Sequence, residues 1–227
     1  MALILSIETA TPVCSVALHA EAQPVAIQTL YVKQSHAESL LPIVKHLLAI
    51  SAYTQDDLAA VALSSGPGSY TGLRIGAASA KGLCQSLQIP LISINTLETM
   101  AYGMQAYNMF QGLLCPMIDA RRMEVYCLLI DAQGHTVAPT QAKIIDEDSF
   151  QAELQETPIL FFGDGAAKCK VLLAYHPNAL FVDDVHPTAH HIGALAYAKF
   201  QKATFEDLAQ FTPNYLKPFQ DKSPAPQ

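Results

Sequence analysis

A short pattern occurs twice, in the same order, and such a duplication constrains the fold of this chain more than any single motif. Ile7-Glu8-Thr9 with an apolar run over residues 13–18 returns as Ile118-Asp119-Ala120 with a run over 125–130. A strand-like stretch entering Gly66-Pro67-Gly68 returns as one entering Gly163-Asp164-Gly165. Two landmarks kept in order predict a repeated unit, each copy a meander, a helix, a strand, a helix and a further strand. The expected architecture is α/β with two subdomains, residues 1–108 and 109–227.

In the first copy, residues 3–7, 13–18 and 25–31 read as three antiparallel strands broken by Thr11-Pro12 and by residues 21–24. Ser35 with Glu38 forms a capping box, and Leu40, Leu41, Val44, Leu47 and Leu48 recur at helical spacing, predicting a helix over 35–50 that Pro42 kinks. Residues 58–63 are a continuous apolar run, too short for a helix, and predict a buried strand. A further strand is expected over 90–94, then a helix opened by Thr96 and Thr99 and reaching towards Tyr107. In the second copy, helices are expected over 146–154, 166–175 and 188–202. The tail from Pro213, with Pro218, Pro224 and Pro226, is expected to lie along the surface and end in disorder.

Composition narrows the class of function. Of the 227 residues 51% are hydrophobic and only 15% charged, so the chain has material for a large core and little charge to keep its surface apart from partners. Its formal charge of −7 disfavours gripping nucleic acid by charge alone. No apolar run reaches the roughly 18 residues that cross a bilayer, and Glu8 interrupts the start before any leader pattern forms, so a cytoplasmic protein is expected. Five cysteines without C-x-x-C spacing read as buried, reduced thiols.

The run Ser64-Ser65-Gly66-Pro67-Gly68-Ser69-Tyr70-Thr71-Gly72-Leu73-Arg74-Ile75-Gly76 is a strand end, a glycine loop and a helix start. Backbone N–H groups at such a helix start suit a phosphate, which makes Gly66, Gly68 and Thr71 nucleotide-loop candidates. The residues fit neither G-x-G-x-x-G nor a G-K-[ST] loop, so the signal stays weak. Gly72, Gly76 and Ala80 stand at i, i+4 and i+8 and leave one helix face nearly bare, which fits close internal packing and a subunit contact equally well.

Glu8 and Asp119 end equivalent strands, where carboxylates hold metal-bound phosphate in duplicated phosphotransferases. The turns after them, Thr9-Ala10-Thr11-Pro12 and Ala120-Arg121-Arg122, contain no glycine, which weighs against a kinase. No histidine pair has metal-binding spacing: His36 is followed at i+4 by Leu40, His190 and His191 are adjacent and expected to point apart, and His176 and His186 lie in loops. No G-x-S-x-G elbow is present, and Ser35-His36 reads as a cap followed by an exposed first-turn residue. No catalytic or metal-binding residue is assigned.

Five segments together resemble the bacterial TsaB (YeaZ) family: residues 4–10, the Ser35-His36-Ala37-Glu38-Ser39-Leu40-Leu41-Pro42 box, the glycine run, Ile118-Asp119-Ala120-Arg121-Arg122-Met123-Glu124-Val125-Tyr126, and Pro213-Asn214-Tyr215-Leu216-Lys217. The match extends over essentially the whole chain. The resemblance implies a duplicated actin-like fold (acetate and sugar kinase, heat-shock ATPase; ribonuclease H-like). It implies a non-catalytic subunit in making threonylcarbamoyladenosine on the tRNA adenosine next to the anticodon. Its implied partners are the catalytic paralogue TsaD and the ATPase TsaE, with a homodimer when alone and tRNA touched only indirectly. TsaD carries its metal on a histidine pair four apart; this chain has His36 and Leu40 at the corresponding places.

The resemblance also implies association through the two helices of the first subdomain, and tips the bare stripe towards an interface of His36, Leu40, Leu41, Gly72, Leu73, Gly76 and Ala80. No cofactor is expected on the isolated chain, with ATP or ADP a candidate ligand of the complex. A nucleotide-dependent phosphotransferase and a metalloprotease are the rival readings; the glycine-free turns oppose the first and the absent histidine pair the second.

Overall fold

The computed structural model describes residues 1–32, 36–105 and 111–217. In the first half, β1 (Leu3–Glu8), β2 (Cys14–Ala20) and β3 (Gln23–Leu30) form the antiparallel meander, with Leu5 opposite Leu18. After α1 (His36–Ile50), β4 (Leu58–Ser64) pairs in parallel with β1, and after α2 (Tyr70–Leu87), β5 (Leu91–Ile94) pairs in parallel with β4. The sheet order is β3-β2-β1-β4-β5. Helix α3 (Thr96–Gln105) follows, capped by Asn95 Oδ1, which accepts from Leu97 N–H at 2.8 Å.

The second half repeats the plan: β6 (Leu113–Asp119), β7 (Glu124–Ile130), β8 (Thr136–Ile144), α4 (Gln151–Glu156), β9 (Ile159–Phe162), α5 (Ala166–Leu173), β10 (Ala179–Val182) and α6 (Ala189–Gln201). Its sheet order, β10-β9-β6-β7-β8, matches the first read in reverse. The long helix expected from 146 is only one turn and a half, because Asp146 and Ser149 close a turn in which Asp146 N–H donates to Ser149 Oγ at 3.0 Å. Helix α1 runs through Pro42 to Ile50. Ser35, Tyr107, Pro218, Pro224 and Pro226 lie outside the described residues, and with them the predicted cap and the end of the tail.

Each sheet is covered on both faces, and the two halves exchange one helix each. Leu40, Ile43, Val44 and Leu47 of α1 and Ala77 and Ala80 of α2 join one core on the first sheet with Leu5, Ile7, Val16, Leu18, Val61 and Leu63, while the buried Leu73 lies against the glycine loop. The opposite face, with Ile4, Ala60, Ala62, Ile92 and Ile94, is covered by Ile192 and Ala196 of α6, from the far end of the chain. Reciprocally, Leu97, Met100 and Ala101 of α3 pack on Leu114, Ile118, Leu128 and Phe162 of the second sheet. Its other face buries Val125, Leu129, Phe150, Phe161 and Cys169. All five cysteines are free and buried.

Candidate functional site

The parallel strands β1, β4, β6 and β9 end on one side of the molecule, where α/β folds place ligands. A cleft of about 780 Å³ opens there, lined by 10–12, 67–71, 118–122, Glu124, Tyr126, Asp164 and 214–217. That volume suits a small ligand.

The first wall is built on Glu8, which is fully buried. Its Oε1 accepts from Ala10 N–H at 2.6 Å, and among the described residues Oε2 has no hydrogen-bond partner. Burial raises its pKa to about 7, against the pull of the Ala10 N–H and Ser64; the Ser64 hydroxyl itself is engaged with Thr96 Oγ1 at 2.6 Å. The glycine loop lies directly on the turn that follows: Ser69 N–H donates to Ala10 O at 2.6 Å, and a β-carbon on Gly68 would overlap that same oxygen. At Gly66 (φ +106°) a β-carbon would come 2.7 Å from Asn214 O. The space freed by these two nucleotide-loop candidates is filled by the chain's own backbone. Thr71 is exposed on the cleft wall.

The second wall repeats the device. Gly165 stands where a β-carbon would meet Ile118 and Asp119 backbone, and Asp164 Oδ1 accepts from Asp119 N–H at 3.0 Å. Burial raises the Asp164 pKa, the nearby Asp119 charge adding to it. Lys168 pairs with Asp119 and also donates to Glu124 O at 2.7 Å. Arg121 and Arg122 both adopt left-handed backbone (φ 70° and 48°), where glycine is the usual occupant, and both are exposed. Their guanidiniums have no hydrogen bond or ion pair among the described residues.

The C-terminal segment straps the walls together. Glu206 N–H donates to Leu91 O at 2.9 Å, Phe211 enters the first core, and Lys81 Nζ donates to Phe211 O at 3.2 Å. Asn214 N–H then donates to Ser65 O at 2.7 Å, Tyr215 packs against Tyr70 with the rings tilted and their centroids 4.8 Å apart, and Lys217 pairs with Glu124 across the cleft. Sequence reasoning placed the tail on the surface and missed that it crosses the cleft, as it missed Lys168 and Asp164; nothing local marks a contact made 93 residues away by Lys217.

The residues proposed from sequence as an interface lie mostly inside this chain. His36, expected to be exposed, is 8% exposed, its Nε2 2.8 Å from Thr11 O. Leu40 and Leu73 are each 1% exposed and Ala80 fully buried. Gly72 and Gly76 face Thr9, where β-carbons would overlap the Thr9 carbonyl and hydroxyl oxygens. Of the seven, Leu41 is exposed, at 45%. The bare stripe therefore packs inward, and the outward face of α2 carries a second set of small residues: Thr71, Ala78 and Gly82 are exposed, with nothing among the described residues within 4 Å of a β-carbon on Gly82.

On the far side of the molecule, His190 and His191, expected to point apart, meet edge to face with centroids 4.7 Å apart. His19 Nε2 lies 2.9 Å from His190 O, and burial lowers the pKa of His19 and takes that of His191 down to about 4. Among the described residues no three His, Cys, Asp or Glu side chains converge as a metal site would require. No helix among them is long and apolar enough to cross a membrane.

A family model described as TsaD, tRNA N6-adenosine threonylcarbamoyltransferase, matches residues 27–225. The chain is 32% identical over 196 residues to the tRNA threonylcarbamoyladenosine biosynthesis protein TsaB of Bacillus subtilis, covering 85% of this chain and 80% of that one. It is 42% identical over 123 residues to the Escherichia coli protein of the same name, covering 54% and 52%. A Pseudomonas aeruginosa structure described as similar to peptidase YeaZ superposes with TM-score 0.82 at 25% identity over 96% of this chain and 100% of that chain. The component A structure of Acidaminococcus fermentans (R)-2-hydroxyglutaryl-CoA dehydratase shares the fold at TM-score 0.51 and 10% identity, covering 89% and 99%. The duplicated actin-like α/β architecture is thus shared with proteins of different activity.

Proposed function

Because the chain belongs to the TsaB (YeaZ) family, we propose that it takes part in tRNA threonylcarbamoyladenosine synthesis as a non-catalytic subunit. In this reading it pairs with the catalytic paralogue TsaD and helps to seat the ATPase TsaE, all in the cytoplasm. The observation that carries the non-catalytic part is the state of the glycine loop: Asn214 O and Ala10 O lie against Gly66 and Gly68, in the space these glycines free. His36 is committed to Thr11 O, and Leu40 is part of the core. A phosphotransferase is disfavoured by that filled loop, and a metalloprotease by a histidine whose i+4 neighbour is buried leucine.

Pairing is assigned to the outer faces of α1 and α2. Leu41 is exposed on α1 (45%), and Thr71, Ala78 and Gly82 give α2 a flank low enough for another helix to approach closely. The same face serves a homodimer when the partner is absent. A contact of standard size buries about 1,600 Å² in total, and its strength rests on how well its centre packs. The test is co-elution with TsaD of the wild type and of Gly82→Arg, beside a reconstituted modification assay. Loss of both pairing and modification by a folded Gly82→Arg protein supports the reading; retention of both overturns it.

A further inference from the structure

We propose that the rim of the cleft is a contact site for single-stranded RNA, in which Arg121 and Arg122 take backbone phosphates and the Tyr70–Tyr215 pair offers faces on which bases stack. The proposal deepens the tRNA-modification reading and rests on it for the choice of RNA among polyanions. It departs from the expectation that tRNA is touched only indirectly.

Four of the charged groups on or beside the cleft are neutralised within the chain. Lys168 is paired with Asp119, and Lys217 with Glu124. Among the described residues Arg121 and Arg122 remain as two adjacent, exposed side chains whose guanidiniums have no hydrogen bond or ion pair, on a hairpin that lines the cleft. Guanidiniums in fork geometry suit phosphate oxygens.

The opposite wall supplies a different chemistry. Tyr70 and Tyr215 line the same cleft, their rings 4.8 Å apart and tilted by 40°, and the Arg74 guanidinium lies 5.2 Å from the Tyr70 centroid. Tyr215 is 36% exposed. Aromatic faces beside cations bind unpaired bases with little regard to sequence. A mononucleotide would instead need the glycine loop for its phosphates, and that loop is filled by Ala10 O and Asn214 O. Exposed rim cations facing a stacking ledge suit a strand lying across the mouth of the cleft. With a net charge of −7 the chain repels RNA elsewhere, so the contact is local and weak on its own.

The test measures fluorescence anisotropy of a labelled anticodon stem–loop RNA, and of a blunt RNA duplex of equal length, against the isolated full chain over about 50–200 mM salt. The wild type is expected to prefer the stem–loop. R121A/R122A should bind roughly tenfold more weakly, with the salt slope reduced by about 1.4, the value for two phosphates on a single strand. R121K/R122K should keep most of the affinity. Tyr215→Ala should lose roughly tenfold and Tyr215→Phe little. Thermal melting verifies that each variant is folded, and the Lys and Phe variants keep the test decisive if an alanine variant is not. Unchanged binding by R121A/R122A and Tyr215→Ala overturns the proposal, as does no RNA binding by the wild type at the lowest salt. Tight ADP binding lost in R121A/R122A while RNA binding is unaffected also overturns it. Pairing with TsaD is read separately by co-elution, so a failed scaffold and a failed RNA contact give different results.

Discussion

The hydroxyl of Thr9 donates to the carbonyl of Gly72 at 2.9 Å, locking the turn after β1 into a notch on α2. Gly76 is the second half of that notch, since a β-carbon there would strike the same hydroxyl oxygen. Gly82, six residues on, faces open space. Alanine should therefore have opposite effects at two positions of one helix. Gly76→Ala should cost about 2 kcal/mol through overpacking, despite the better helix propensity of alanine. Gly82→Ala should gain up to about 1 kcal/mol. Denaturant midpoints with unchanged m-values would check both signs.

The same geometry decides which substitution can test pairing. Gly76→Arg should fail to fold, and says nothing about an interface. Ala78→Arg and Gly82→Arg, on the exposed flank, should melt within a few degrees of the wild type while abolishing the homodimer and co-elution with TsaD. Analytical ultracentrifugation of each variant reads the first and size-exclusion chromatography the second.

Glu8 gives stability a dependence on pH. Its pKa is about 7 in the fold against 4.5 when exposed, so the folded state holds the extra proton. The stability contributed by that proton is complete below about 4.5 and is lost as pH rises towards 7, by an amount on the order of 3 kcal/mol. Glu8→Gln keeps an acceptor for the Ala10 N–H and cannot ionise. It should lack this decline, and the difference between the two proteins in urea melts should widen from pH 4.5 to pH 7 and then stay constant.

His191 acts in the opposite sense. Its folded pKa of about 4 lies below the ordinary 6.5, so its stabilising effect is present above 6.5 and is lost as pH falls towards 4. His19 shifts in the same direction, again through burial. His191→Gln should flatten the acid limb of the stability profile. NMR titration of the His191 ring should give a midpoint well below that of an exposed histidine.

The meander, the buried strand β4 and the starts of α2 and α3 were legible because each rests on local patterning: alternation, a short apolar run, a glycine loop between a strand and a helix, or threonines at a helix start. The repeat was legible because both acids keep their places at strand ends. The inward face of α2 was not, since Gly72, Gly76 and Ala80 on one side and Thr71, Ala78 and Gly82 on the other are equally bare in sequence. What separates them is Thr9, 63 residues away. The burial of His36 likewise depends on Thr11 O, and the meeting of His190 with His191 on helix α6 crossing to the first sheet. The left-handed arginine turn carries no signal either, since arginine favours no such backbone.

The central claim is that a protein whose glycine loop is packed by its own backbone supports a catalytic sibling by pairing with it. The most direct measurement is formation of threonylcarbamoyladenosine on unmodified tRNA by TsaD and TsaE, with threonylcarbamoyl-AMP supplied, in the presence of this chain, in its absence, and with Gly82→Arg in its place. The account predicts full modification only with the wild-type chain. Equal modification without it would contradict the account.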